Sequence, residues 1–365
     1  MLNSRKQIES IQALRGIAAI LVMMFHFRTE INKSFPGIGD YLFINGTMGV
    51  DLFFVISGFI VFYITDSVHG GTSSAKKFII NRFCRIAPPY YLITLCVAGG
   101  SLASWSETIR SILFIPLDGE SIGPYYGYAR LYVGWTLNYE MFFYLLCALS
   151  ILFYSKKWMV LTGTILALIL LPSIFFGWNN LDSNKGYQFT ITYLKLITNP
   201  IILEFLAGCF IGWVYKKGIN INNKAFWLIL FILAASFFAY IYFSGALRGN
   251  GVTKYMIPCA LLLFSIIEYE KRYGIKIPST LVYLGSISYS VYLIHIQALS
   301  LVSKLSKKLL KFDIIIPGVI VAVFSVVLTV LLAHLSHKYI ELKFSTWLKH
   351  KMLHNVRAHS DLQRS

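Results

Sequence analysis

Charge is what this 365-residue sequence has least of. Asp, Glu, Lys and Arg make up 13% of it, about half the share typical of soluble proteins. Acidic groups are the scarcer sign, 16 against 33 Lys and Arg, for a formal charge of +17. The long apolar runs lack two-residue alternation, which excludes the strands of a membrane barrel. Internal repeats and low-complexity segments are absent too. Cysteine is sparse and odd in number: Cys84, Cys96, Cys147, Cys209 and Cys259 are scattered, mostly inside apolar runs. They read as small core residues, which argues against both a disulfide framework and a metal site. No cluster has metal-ligand spacing, so no metal is expected. Nor is a secretory leader expected, because Arg15 interrupts the first apolar region and no small-residue cleavage site follows.

What the sequence has instead is hydrophobic length: 56% of its residues are hydrophobic. Apolar runs of roughly 17–25 residues recur along the chain, the length that crosses a bilayer as a helix. The expected fold is therefore all-α, a polytopic transmembrane helical bundle of about ten spans. They lie at 11–27, 46–66, 87–104, 132–154, 158–177, 198–215, 226–244, 254–268, 281–301 and 314–336. One transmembrane domain covers 1–345, a basic cytoplasmic tail covers 346–365, and no separate soluble domain is expected at either end.

On a soluble protein the positive charge would suggest nucleic acid; no such partner is expected here, because Lys and Arg sit between the apolar runs. There they set topology and meet anionic membrane lipid. With the N-terminus inside, twenty Lys and Arg fall on the inner side and twelve on the outer, so both termini are expected to be cytoplasmic. One outer loop, 302–313, disagrees with Lys304, Lys307, Lys308 and Lys311. Either a span is miscounted or that loop is basic for a reason, such as an acidic partner. The longest outer loop, 105–131, carries the aromatic cluster "YYGYARLY". This is either a belt of interfacial tyrosines or a carbohydrate-binding surface.

Polar residues inside the spans are the candidates for chemistry, since intramembrane charge is costly unless it faces a cavity. In "RGIAAILVMMFH", Arg15 and His26 are eleven residues apart, nearly three turns, so they share one helix face about 16 Å apart along its axis. The competing reading is a snorkelling Arg and an interfacial His. "GVDLFFVISGF" places Asp51 early in the second span, on the side where His26 lies, and a carboxylate there can orient an imidazole. In "NRFCRIAPPYY", Arg82 and Arg85 share a helix face and suit a phosphate, or serve as plain inner-side anchors. Pro88 and Pro89 mark the boundary of that helix with the third span. Glu140 in "GWTLNYEMFFYLL" and Glu204 in "LEFLAGCFIGW" are intramembrane carboxylates, functional or paired with a neighbouring helix. "YLGSISYSVYLIHIQ" carries a polar stripe through Tyr289, Tyr292 and His295, three residues apart.

Taken in order, these stretches resemble the acyltransferase 3 family of integral-membrane acyltransferases, which modify bacterial surface and secreted carbohydrates. The resemblance runs from Ile11 to about Phe344 and includes "EFLAG" at Glu204 and a terminal "IELKF" at Glu341. The family often follows that last Glu with a basic residue and Pro; here Leu342 and Lys343 stand instead, which lowers the weight of Glu341. The soluble esterase-like domain of some members has no counterpart. The resemblance implies a multi-pass protein of the bacterial inner membrane that moves an acyl group, usually acetyl, from cytoplasmic acyl-CoA to a sugar hydroxyl. It implies that Arg82 and Arg85 hold the coenzyme's phosphates, and that Arg15 lines the donor's path or polarises the thioester. His26 is then the base or the acyl carrier, with Asp51, Glu140 and His295 assisting. No bound cofactor is implied: acetyl-CoA enters as a substrate. The rival reading from the residues alone is a transporter of organic anions, for which an inverted repeat would speak; none is visible. A third, a scaffold for polysaccharide assembly, leaves the polar stripes without a purpose.

Overall fold

The computed structural model describes residues 8–178, 181–187, 189–312 and 314–362, without the side chains of 355–362. It is all-helical. The first helices are α1 (Glu9–Ser34), α2 (Ile38–Phe43), α3 (Met48–Thr65), α4 (Thr72–Cys96) and α5 (Leu102–Ile112). Then follow α6 (Trp135–Ile151), α7 (Lys157–Leu170), the short α8 (Ser173–Phe176) and α9 (Thr192–Ile197), and α10 (Leu203–Lys217). The chain closes with α11 (Lys224–Ser244), α12 (Met256–Tyr273), α13 (Ser279–Leu310), α14 (Gly318–Ser336) and α15 (Ser345–Leu362). A helix lies on each of the ten apolar runs. Among the described residues, six helical segments are both long and apolar enough to cross a membrane.

Several boundaries differ from the sequence reading. The helix α4 continues through Pro88 and Pro89, which lie inside it rather than at its edge. Each proline removes a backbone donor, so the carbonyls of Cys84 and Arg85 lose their partners four residues on. Such helices persist where neighbouring helices hold them, and Ile86 to Tyr90 are all buried. Lys304, Lys307 and Lys308 belong to α13 and not to a loop. The basic tail is helical as α15 from Ser345 to Leu362; its last three residues lie outside the described ones. Between α14 and α15, residues His337–Phe344 form a π-helical run.

The chain divides into two compact units. The first unites Met1–Thr65 with Leu203–Val330. Its helices pack closely because glycines face backbone. A Cβ added to Gly285 of α13 would lie 1.9 Å from the carbonyl oxygen of Gln12 in α1. One added to Gly58 of α3 would lie 1.9 Å from the carbonyl oxygen of Phe205 in α10. Around these crossings, Leu14, Leu52, Val55, Phe59, Leu263 and Ile267 form an apolar core. The first helix has no cap of its own. Glu270 of α12 supplies one, accepting from the backbone N–H groups of Glu9 at 3.0 Å and Ser10 at 3.1 Å. A carboxylate at that end also suits the helix dipole.

The second unit unites Asp66–Ile202 with Leu331–Ser365. Here α4 and α6 run antiparallel: Phe78 meets Tyr144, while Tyr90 lies beside Gly134 at the start of α6. Lys157 is buried at the start of α7 and donates to the carbonyls of Asp66 at 2.7 Å and Val68 at 2.9 Å.

Candidate functional site

In the first unit, the seam between α1 and α13 brings His26 and Glu30 of one helix against His295 and Ser303 of the other. The two run parallel, since Gly16 faces Gly285, His26 faces His295 and Glu30 meets Ser303. At one end, half-buried Arg15 donates to Gln12 Oε1 at 3.4 Å. Eleven residues on, the rings of His26 and His295 lie 5.1 Å apart, tilted by 40°. His295 is fully buried, between Phe27 at 6.3 Å and Tyr292 at 6.0 Å, whereas His26 is half-buried.

The hydrogen bonding of His295 fixes its tautomer. Nδ1 lies 3.2 Å from the Val291 carbonyl oxygen. A carbonyl only accepts, so Nδ1 carries the hydrogen and Nε2 keeps its lone pair. That Nε2 is buried without a partner. A buried acceptor left open is costly and calls for an explanation.

Asp51 is also fully buried in this unit, on the first turn of α3. It accepts from the side-chain amide of Asn250 and from the backbone N–H of Gly251 at 2.8 Å. Its third neighbour is the carboxyl of Glu204, at the start of α10 and equally buried. Asp51 thus ties α3 to the loop before α12. Its hydrogen bonds go to Asn250 and Gly251, not to His26.

In the second unit the structure gathers Arg82, Tyr144 and Glu140. Arg82 is buried, its guanidinium 5.6 Å from the Tyr144 ring and 5.8 Å from that of Phe78. The Tyr144 hydroxyl donates to Glu140 Oε1. Nε and Nη1 of Arg82 have no hydrogen-bond partner. Arg85, one turn on, is exposed. The pair therefore presents one sheltered cation and one in the open. Glu341 lies on the π-helical run, where Oε2 is 3.2 Å from His337 Nδ1.

Sequence reasoning singled out neither Tyr144 nor Asn250. Tyr144 stands four residues after Glu140, so helical spacing could have found it. Asn250 lies 199 residues from Asp51 and had no such signal. In the aromatic cluster, Tyr125, Tyr128 and Tyr132 stack in series with ring centroids 5.0 and 4.1 Å apart. Tyr126 is buried there, donating to the Lys195 carbonyl and accepting from Asn199. Among the described residues, no three His, Cys, Asp or Glu side chains converge as metal ligands.

The chain matches the family described as an acyltransferase domain over residues 8–336. It is similar to the exopolysaccharide production protein ExoZ of Rhizobium meliloti, 33% identical over 71% of this chain and 78% of ExoZ. It is also similar to the peptidoglycan O-acetyltransferase OatA of Listeria monocytogenes, 24% identical over 93% of this chain. The chain spans 56% of the length of OatA. No solved structure matches.

Proposed function

Because the chain belongs to the acyltransferase 3 family, we propose that it is an O-acetyltransferase of the bacterial inner membrane, with ten spans and both termini cytoplasmic. It moves an acetyl group from cytoplasmic acetyl-CoA to a hydroxyl of an exported polysaccharide or lipid-linked oligosaccharide. The names of ExoZ and OatA support a carbohydrate acceptor. The observation that carries the chemistry is the His26–His295 pair, one ring half-buried and the other buried with an open acceptor nitrogen.

In this reading His26 takes the proton of the acceptor hydroxyl while its oxygen adds to the thioester carbonyl. The tetrahedral adduct collapses by breaking the carbon–sulfur bond. The leaving thiolate recovers the proton from the imidazolium, so an O-acetyl ester and a free thiol result. If His26 instead carries the acetyl group between donor and acceptor, the same proton count holds over two steps. His295 holds the geometry of His26 and offers Nε2 to a donor during the transfer. Arg15 lies about 16 Å along the helix from His26, so it lines the donor's path and does not touch the reacting carbonyl. Arg82 and Arg85 hold the coenzyme's phosphates, with Tyr144 and Glu140 positioning Arg82. Asp51 acts through Asn250 and Glu204, as a positioning residue of its unit.

The test is mass spectrometry of surface glycans from cells expressing the wild type, His26→Ala or Arg15→Ala. Loss of O-acetyl groups in both variants is expected. Normal acetylation with both variants at normal abundance would overturn the assignment.

A further inference from the structure

Beyond His26, the α1–α13 seam opens into a cavity of about 440 Å³ that the mechanism above does not use. Its size lies within the range of small-molecule pockets, about 300–1,000 Å³. Glu30 and Lys33 of α1, Ser306 of α13 and the turn at Pro317 line it, all within the first unit. Glu30 stands four residues after His26, one helical turn or about 6 Å, and Ser306 stands eleven after His295.

The cavity lining offers both hydrogen-bond acceptors and a cation. Glu30 is 8% exposed. Both its carboxylate oxygens accept from Lys33 Nζ, at 2.7 and 2.6 Å, and one lies 3.4 Å from the Ser303 hydroxyl. A carboxylate has about four acceptor sites, so Glu30 retains room for ligand hydroxyls. Lys33 is 58% exposed and has three N–H donors, of which Glu30 engages two.

The end of α13 that carries Ser306 is strongly cationic. Lys304, Lys307, Lys308 and Lys311 follow within eight residues and are exposed, against a single acidic residue in 302–313. Lys271, Arg272 and Lys276 precede the other end of α13. That helix has 32 residues, about 48 Å, longer than the roughly 30 Å apolar core. One span cannot have both ends on the inner side, so the positive-inside trend accounts for only one of its two basic ends.

We propose that this cavity is the acceptor subsite and that it takes a glycan bearing carboxylate or phosphate charge, rather than a neutral one. Sugar hydroxyls donate to Glu30, and the anionic group meets Lys33 and the lysines ending α13. The sugar is thereby anchored one turn from His26, and its neighbouring hydroxyl reaches the imidazole. The inference rests on the acetyltransferase reading, but its test does not require turnover.

The experiment measures binding to the purified full chain in neutral-lipid nanodiscs. The probes are trigalacturonate and its fully methyl-esterified form, which has the same sugar ring without charge. Trigalacturonate should bind about tenfold more tightly, and added salt should erode that preference. Lys33→Gln and the combined Lys304→Gln/Lys307→Gln should each reduce it, and Ser306→Phe, which fills the cavity, should weaken both probes. The second and third variants touch no partner of Glu30, so they stand if Lys33→Gln fails to fold. Equal affinities, or a preference unchanged in the folded variants, overturns the proposal. It is equally overturned if the lysine variants alter retention on phosphatidylglycerol vesicles but not trigalacturonate binding. Selective binding without acetyl transfer from labelled acetyl-CoA upholds the anionic subsite and counts against the acetyltransferase reading.

Discussion

Replacing Gly285 by Ala should separate the two histidines without touching either. The added Cβ would lie 1.9 Å from the Gln12 carbonyl oxygen, about 1.5 Å short of ordinary contact. The obstacle is backbone, so no side chain can rotate away, and α1 and α13 must part by about that distance. Helices transmit displacement as rods, and ten residues further on His26 and His295 stand 5.1 Å apart. Overpacking of this kind costs about 1–3 kcal/mol, which a stable bundle survives. A misplacement of roughly 1 Å at reacting groups can cost about 100-fold in rate. The assay is acetyl transfer per mole of folded protein, with thermal stability measured in parallel. Gly163→Ala is the control, since a Cβ there meets nothing within 4 Å. Full specific activity in Gly285→Ala refutes the argument, and so does a loss that only follows the loss of folded protein.

Tyr144→Phe should leave the fold intact and raise KM for the acyl-CoA donor about tenfold with little change in kcat, because the ring beside Arg82 loses the hydroxyl bond that anchors it to Glu140; steady-state kinetics at varied donor checks this. Asn250→Ala should lower stability by about 1–3 kcal/mol, because it strips a donor from fully buried Asp51. A melting curve reads the shift. In a double-mutant cycle with Asp51→Asn the two losses should be non-additive. His295→Ala should slow acetyl transfer with little change in KM for either substrate, read from initial rates.

Hydropathy located the helices because it reports the apolar interval of each one, whether that interval faces lipid or other helices. It did not report where helices end. The first apolar run stops at 27 but α1 continues to Ser34, carrying Glu30 and Lys33 into the cavity. The run at 281–301 underlies a helix that continues to Leu310. Such extensions are polar, and their helicity comes from packing and continuity. Pro88 and Pro89 misled for a related reason: proline ends helices in water, while a packed bundle holds the chain through it. Within the candidate site, periodicity put Arg15 and His26 on one face. The pairing of His26 with His295, 269 residues away, is tertiary and has no local trace. Asp51 was legible as an isolated intramembrane carboxylate; its ties to Asn250 and Glu204 were not.

The most direct measurement is transfer of radiolabelled acetyl from acetyl-CoA to a glycan acceptor by the purified chain in proteoliposomes, comparing the wild type with His26→Ala. General base catalysis contributes roughly 10²–10⁴-fold. The account predicts transfer by the wild type and a loss of that order in the variant, with folding unchanged. Undiminished transfer by folded His26→Ala, or an intact thioester in the presence of the wild type and acceptor, would contradict it.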